Sequence, residues 1–161
     1  MIVKLYKPNP RNTGSAFGFD LGYAKPSGEP CVFIRAVKQH SWDDAKKTGS
    51  FMANAKNPDK SISIKMNETE IGGIINAIEN YTEFSAYHSF EDNRTQISFK
   101  PYSKKNGDKA FSLGVIRNST GKYGIGVEMS ESYMLLEFLK FFLQELYAWR
   151  FNKNQEIKSR K

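Results

Sequence analysis

Residues 61–69 read SISIKMNET, and residues 124–132 read GIGVEMSES. The two stretches lie 63 positions apart and match at Ile62 with Ile125, Ile64 with Val127, Met66 with Met129 and Glu68 with Glu131. A fixed internal spacing is what a repeated architecture leaves in a sequence. In each stretch, alternating apolar residues give way to a small polar residue, Asn67 or Ser130, suited to cap a helix. Each is therefore read as the joint where a strand turns into a helix.

The surrounding residues repeat the same order. Period-two alternation predicts strands over 2–6, 15–23, 31–39 and 60–66, with AKPSGEP (24–30) as a turn and HSWDDAKKTGS (40–50) as a loop. Asn67 with Glu70 three residues on forms a capping-box pattern, and Ile71, Ile74, Ile75 and Ile78 then make one apolar helical stripe. Gly72 and Gly73 weaken that helix and suit a place where another backbone packs closely. Strands are predicted again over 83–89, 94–100, 110–116 and 122–129, with 101–109 as a loop. A strong helix follows from Ser130 to Arg150, with Met134, Leu135, Phe138, Leu139, Phe142 and Leu146 on a wide apolar face, extended by Phe141 and Trp149. So wide a face predicts burial on more than one side, against its own sheet and at a subunit interface. The order is four strands, a helix, four strands, a helix.

Composition sets bounds. The 161 residues suit one domain with a substantial core, or two small halves sharing one. The single cysteine, Cys31, excludes an internal disulfide, and with only His40 and His88 beside it a thiolate zinc cluster is excluded as well. These features fit a reducing, cytoplasmic setting. The N-terminal residues lack a signal-peptide pattern, and no apolar run is long enough to span a membrane. The net charge is +7, of which residues 150–161 carry +4 and residues 1–149 only +3. A basic balance favours polyanionic partners.

On SISIKMNETEIGGIINAI and KYGIGVEMSESYMLLEFL the chain resembles the Whirly proteins, and a doubled form of the single-stranded-DNA-binding domain of positive cofactor four. The likeness is closest to phage-encoded members, which lack organellar targeting sequences. It implies an α+β fold of two repeats, each of four antiparallel strands and one helix. It covers residues 1–149 as one domain, with halves at about 2–80 and 83–149, followed by a basic tail at 150–161. It further implies largely sequence-independent binding of single-stranded DNA, in replication, recombination or repair. The implied protein is a homo-oligomer, a tetramer being the first expectation, located in the cytoplasm (the host's, if phage-encoded). The basic-glycine assembly motif of plant Whirly proteins has no counterpart here.

Sequence-tolerant single-strand binding needs cations along the phosphate path and aromatic faces for the bases. In strand 31–39, Val32, Ile34 and Ala36 read as core, which turns Phe33 and Arg35 outward, and Lys65 lies on the polar side of the next strand with Ser61 and Ser63. The loop after 39 supplies Trp42, Lys46 and Lys47, where Trp42 could instead anchor the loop to the body. Tyr87, Phe90 and Arg94 flank a hairpin turn, and Lys100, Tyr102, Lys104, Lys105 and Lys109 cluster around the second loop. Each lysine alone could simply be solvated, and the grouping with aromatics carries the expectation. Phe17 and Phe19 are favoured as core.

Enzyme chemistry finds no support in the sequence. His88 has no cysteine or acid pair near it and reads as a hydrogen-bonded strand histidine. Glu68 and Glu70 suit the positive end of a helix dipole. No phosphate-binding loop, nucleophile elbow or zinc-protease motif is present. Neither a cofactor nor a metal is expected. Two rival readings remain: RNA binding by the same fold, which kinetoplastid mitochondrial RNA-binding proteins show it tolerates, and a structural or protein-interaction module whose aromatic faces pack on partners.

Overall fold

Alternation decides which side of each strand meets the core. Val3 and Leu5, Phe17 and Phe19, Val32, Ile34 and Ala36, and Ile62, Ile64 and Met66 are all buried, on four neighbouring strands. The computed structural model describes residues 2–90, 92–118 and 121–159, with the side chain of Phe90 outside the description. Its elements run β1 (Ile2–Lys7), β2 (Ser15–Tyr23), β3 (Pro30–Lys38), β4 (Ser41–Asp43), β5 (Thr48–Ser50), a 3-10 turn (Met52–Asn54), β6 (Ser61–Met66) and α1 (Glu68–Asn80). There follow β7 (Phe84–Phe90), β8 (Asn93–Ser103), β9 (Lys109–Arg117), β10 (Gly121–Glu128) and α2 (Met129–Ser159).

The protein is α+β, with two antiparallel four-stranded sheets and two helices. The first sheet has the order β1-β2-β3-β6 and the second β10-β9-β8-β7. Their inner faces contribute to a single core with both helices. Phe99 stacks on Phe111 at 4.6 Å between ring centroids, and Tyr81 meets Phe111 edge-on at 5.2 Å. Burying each such side chain stabilises the fold by roughly 1.5–3 kcal/mol before chain entropy is counted. α2 touches β1 and β3 of the first sheet as well as β9 and β10 of the second, so it ties the two together.

The two helix starts show what the repeated stretch encodes. At α1 the Asn67 side chain accepts from the Glu70 amide at 2.9 Å, and Glu70 Oε2 accepts from the Asn67 amide at 2.8 Å. At α2 the expected Ser130 cap is replaced. The helix begins at Met129, and Glu131 Oε2 accepts from the Glu128 amide at 2.8 Å. Glu131 thus corresponds in role to Glu70, two residues displaced from the match with Glu68.

Other expectations are corrected. The 40–50 loop holds a short hairpin, β4 with β5, whose turn is closed by Asp43 Oδ1 accepting from the Ala45 and Lys46 amides and by Lys47 at φ 52°. Three-residue strands carry too little alternation to be seen in sequence. β8 runs on to Ser103, because Pro101 and Tyr102 pair with Phe111 and Ala110. Gly73 is crowded by a ring and not by a backbone: a Cβ there would stand 2.2 Å from Cε2 of Phe84, whereas Gly72 faces open space. Met134 is exposed rather than core. Helix continues through 150–159: Arg150 is half-buried and paired with Glu29 and Glu68, and residues 151–159 are exposed; Arg160 and Lys161 of the basic tail lie outside the described residues.

Candidate nucleic-acid interface

The side of each sheet turned from the core carries the candidate residues. On the first sheet, register sets Phe33 beside Asp20 and Lys65, and Arg35 beside Gly18 and Ser63. The Phe33 ring is half-buried and leans over Gly22, where no side chain intervenes. Phe33, Arg35 and Lys65 are therefore brought together on one outward face. Arg35 is not a free cation, since its Nε lies 2.7 Å from Asp20 Oδ2. The other oxygen, Asp20 Oδ1, is buried and has no hydrogen-bond partner. A carboxylate at that point can accept from an N–H on a base edge.

A cavity of about 550 Å³ opens on this face. Tyr6, Phe51 and Met52 form its apolar side, with Lys4, Asp20 and Arg35 also lining it. Tyr6 and Phe51 have ring centroids 5.8 Å apart. Gln39 holds this rim in place. Its Oε1 accepts from the Asn9 amide at 2.8 Å, and its Nε2 donates to the Asn9 carbonyl at 3.0 Å and the Ser41 carbonyl at 3.1 Å. A buried amide with its capacity so used fixes the loop and the hairpin to one position.

The outward face of the second sheet is flatter. Ser98, Gly114 and Gly124 lie in register across β8, β9 and β10, so the backbone itself forms much of the surface. The Tyr102 side chain lies over Gly126, its hydroxyl 2.8 Å from where a Cβ would stand. Tyr87 stands 77% exposed opposite Gln96, and Arg94 is exposed opposite Ser89. Tyr87 and Arg94 line one groove of about 580 Å³ with Gln96 and Ile116. A backbone floor flanked by a ring and a guanidinium suits a stacked base with its phosphate alongside. Phe90 sits at the end of β7, and its side chain lies outside the described residues.

The remaining candidates do not join these faces as one cluster. Trp42, Lys46 and Lys47 belong to the β4–β5 hairpin. Trp42 Nε1 donates to Asp44 Oδ1 at 3.0 Å, and Lys47 lies 3.7 Å from the same oxygen. Lys100 is 3.5 Å from Glu83 Oε2. Lys104 is bonded to Glu128, which raises its pKa and keeps it protonated, but also neutralises much of its field. Lys109 lies over the Tyr81 ring, 4.8 Å from its centroid, and Lys105 is exposed in the β8–β9 turn.

Sequence reasoning missed Lys4, Tyr6 and Lys122, all exposed on outward faces, and Arg117 at the end of β9. The signal for the first three was present as the polar half of the alternation in IVKLY and KYGIGVEM. His88 is corrected: Glu70 lies against it, with Nε2 2.6 Å from Oε1 but without the alignment of a hydrogen bond. The Cys31 thiol is buried, and burial pushes its pKa up against the opposing pull of Lys65, which disfavours the thiolate. Among the described residues, no group of three or more His, Cys, Asp or Glu is placed to hold a metal ion, and no helix is long and apolar enough to cross a membrane. Compared with protein-family models, curated proteins and solved structures, the chain matches none.

Proposed function

We propose that the chain is a non-catalytic single-stranded-DNA-binding protein of Whirly-like architecture, acting in replication, recombination or repair. One observation carries this reading. Each sheet buries one face in the common core and leaves the other with an aromatic ring, a cation and small residues on one outward face: Phe33 opposite Lys65, with Gly18 nearby, on the first, and Tyr87, Arg94 and Gly114 on the second. Rings accept any base and cations follow any backbone, so such faces bind strands without reading sequence. Assembly into a homo-oligomer, a tetramer first, is supported by exposed Tyr133, Phe141, Tyr147 and Phe151 on α2.

Fluorescence anisotropy with a single-stranded oligonucleotide, its duplex and the matching RNA, each at two salt concentrations, tests the reading. Single-stranded DNA should bind more tightly than duplex, and affinity should fall with salt as counterions are released. Equal or tighter duplex binding would rule out stacking as the mechanism. Tighter binding of the RNA would move the substrate to RNA. Absence of binding at low salt would leave the protein-interaction module.

A further inference from the structure

The seam between the two sheets holds a cation, Arg117, that no carboxylate answers among the described residues. Arg117 is directed there from the end of β9; its Nε is buried without a hydrogen-bond partner, and no carboxylate pairs with it among the described residues. A cavity of about 390 Å³ at this seam is lined by Ser63 and Lys65 from β6, and by Ser89, Asn93 and Arg117 from the second sheet. Its lining includes two cations, hydroxyls and an amide, and no carboxylate. His88 also borders it, but is engaged with Glu70. Asn93 uses its Oδ1 to accept from Asn118 at 3.3 Å, which leaves its amide protons to donate.

Arg117 is half-buried, and holding its Nε–H out of water without a partner is costly. A buried donor left unanswered calls for an explanation, and an absent anion is the simplest. Arg presents a planar fork of donors matched to phosphate oxygens, and Lys65 adds a point charge. We infer that Arg117 and Lys65 form a seat for one phosphate group. On the single-strand reading above, on which this step rests, that group is a backbone phosphodiester.

The position gives the seat a purpose. Ser63 and Lys65 belong to the outward face that bears Arg35 and Phe33, their partners in register. Ser89 pairs with Arg94 on the outward face that bears Tyr87. A phosphate held at the seam lets one strand pass from the Phe33 face to the Tyr87 face, so that both halves of a single chain bind the same strand.

The test uses the full chain, Arg117→Gln and Lys65→Gln. Melting is compared in sodium phosphate and in sodium chloride at matched ionic strength, and a single-stranded oligonucleotide is titrated over a range of salt. The wild type should melt higher in phosphate. R117Q should melt at least as high as the wild type in chloride, because an unpaired charge is gone, and should gain nothing from phosphate. Its strand affinity should fall about tenfold, with the slope of log affinity against log salt shallower by about 0.7, the loss of one phosphate contact. K65Q should show the same changes more weakly, and carries the comparison should R117Q not fold. Unchanged affinity and slope in both variants, with no stabilisation of the wild type by phosphate, would overturn the seat and leave strand binding standing. A wild type that binds no strand yet is stabilised by phosphate through Arg117 would keep the seat and remove the single-strand reading.

Discussion

His88 on β7 holds Glu70 at the start of α1, with Nε2 2.6 Å from Oε1, and so fastens the cap of the first helix to the second sheet. The arrangement is reciprocated. Lys7 on β1 holds Glu131 at the start of α2, with Nζ 2.7 Å from Oε1, and fastens the cap of the second helix to the first sheet. Each glutamate gives its other oxygen to a cap amide. Each strand-to-helix joint therefore carries an acid, Glu70 just after the first stretch and Glu131 within the second, that is latched by a strand of the other sheet.

The two latches should differ in strength. The Glu70 side chain is only 7% exposed and that of His88 23%, against 25% and 33% for Glu131 and Lys7. A carboxylate as buried as Glu70 loses more when its neighbour is removed than a more accessible one, for which a pair is worth about 0.2–1 kcal/mol. Denaturant unfolding should find His88→Ala clearly the more damaging, and Lys7→Ala mild. Equal losses in the two variants would show that burial does not govern these contacts.

Adjacent glycines in α1 should respond oppositely to alanine. At Gly73 the new Cβ would meet the Phe84 ring at 2.2 Å, and overpacking of this kind costs about 1–3 kcal/mol. Gly72 faces open space, and alanine in a helix interior is favoured by about 0.5–1 kcal/mol. Thermal unfolding of the two variants checks the sign of each. A stabilised Gly73→Ala would mean that Phe84 can move aside at little cost.

Alternation made most of this fold legible before any coordinates. A period of two is a binary signal, and it turned Phe33 and Arg35 outward while setting Val32, Ile34 and Ala36 inward. What stayed hidden were partners set by folding. Lys104 and Glu128 are 24 residues apart, and neither residue type announces the other. Counting lysines therefore overstated the free charge on the second face. The Ser130 cap failed because the helix begins one residue earlier, at Met129, with Glu131 accepting from the Glu128 amide. Arg117 was passed over because a cation at a strand end reads as solvated, and only the fold sets it on a cavity shared with β6 with its Nε out of water.

On the first face, Asp20 restrains Arg35 and presents a negative charge where a polyanion would pass. Asp20→Asn should raise strand affinity and steepen its salt dependence by about 0.7, as Arg35 becomes free for one more phosphate. Phe33→Ala and Tyr87→Ala should each cost roughly 1–3 kcal/mol of binding with little change in stability. Trp42→Ala should cost less, because its indole N–H is already engaged with Asp44. A weaker-binding Asp20→Asn would assign the carboxylate to ligand contact rather than to restraint of Arg35. An Ala variant that loses stability and keeps its affinity would assign that ring to the core.

α2 has two apolar sides. Leu135, Leu139, Phe142 and Leu146 are buried against the sheets, while Tyr133, Phe141, Tyr147 and Phe151 are 40% exposed or more. At 3.6 residues per turn the second set lies roughly opposite the first. Large rings aligned on an outward helix face are what an assembly surface would present. If copies of the chain assemble through this face, Phe141→Glu combined with Tyr147→Glu should reduce the protein to a monomer in sedimentation velocity. The helical circular-dichroism signal should survive, because neither side chain supports the core. Strand affinity should drop in the monomer if several copies share one strand, through the loss of effective concentration. A wild-type chain that sediments as a monomer at tens of micromolar, or a double variant that still sediments as the larger species, would remove α2 as the assembly face.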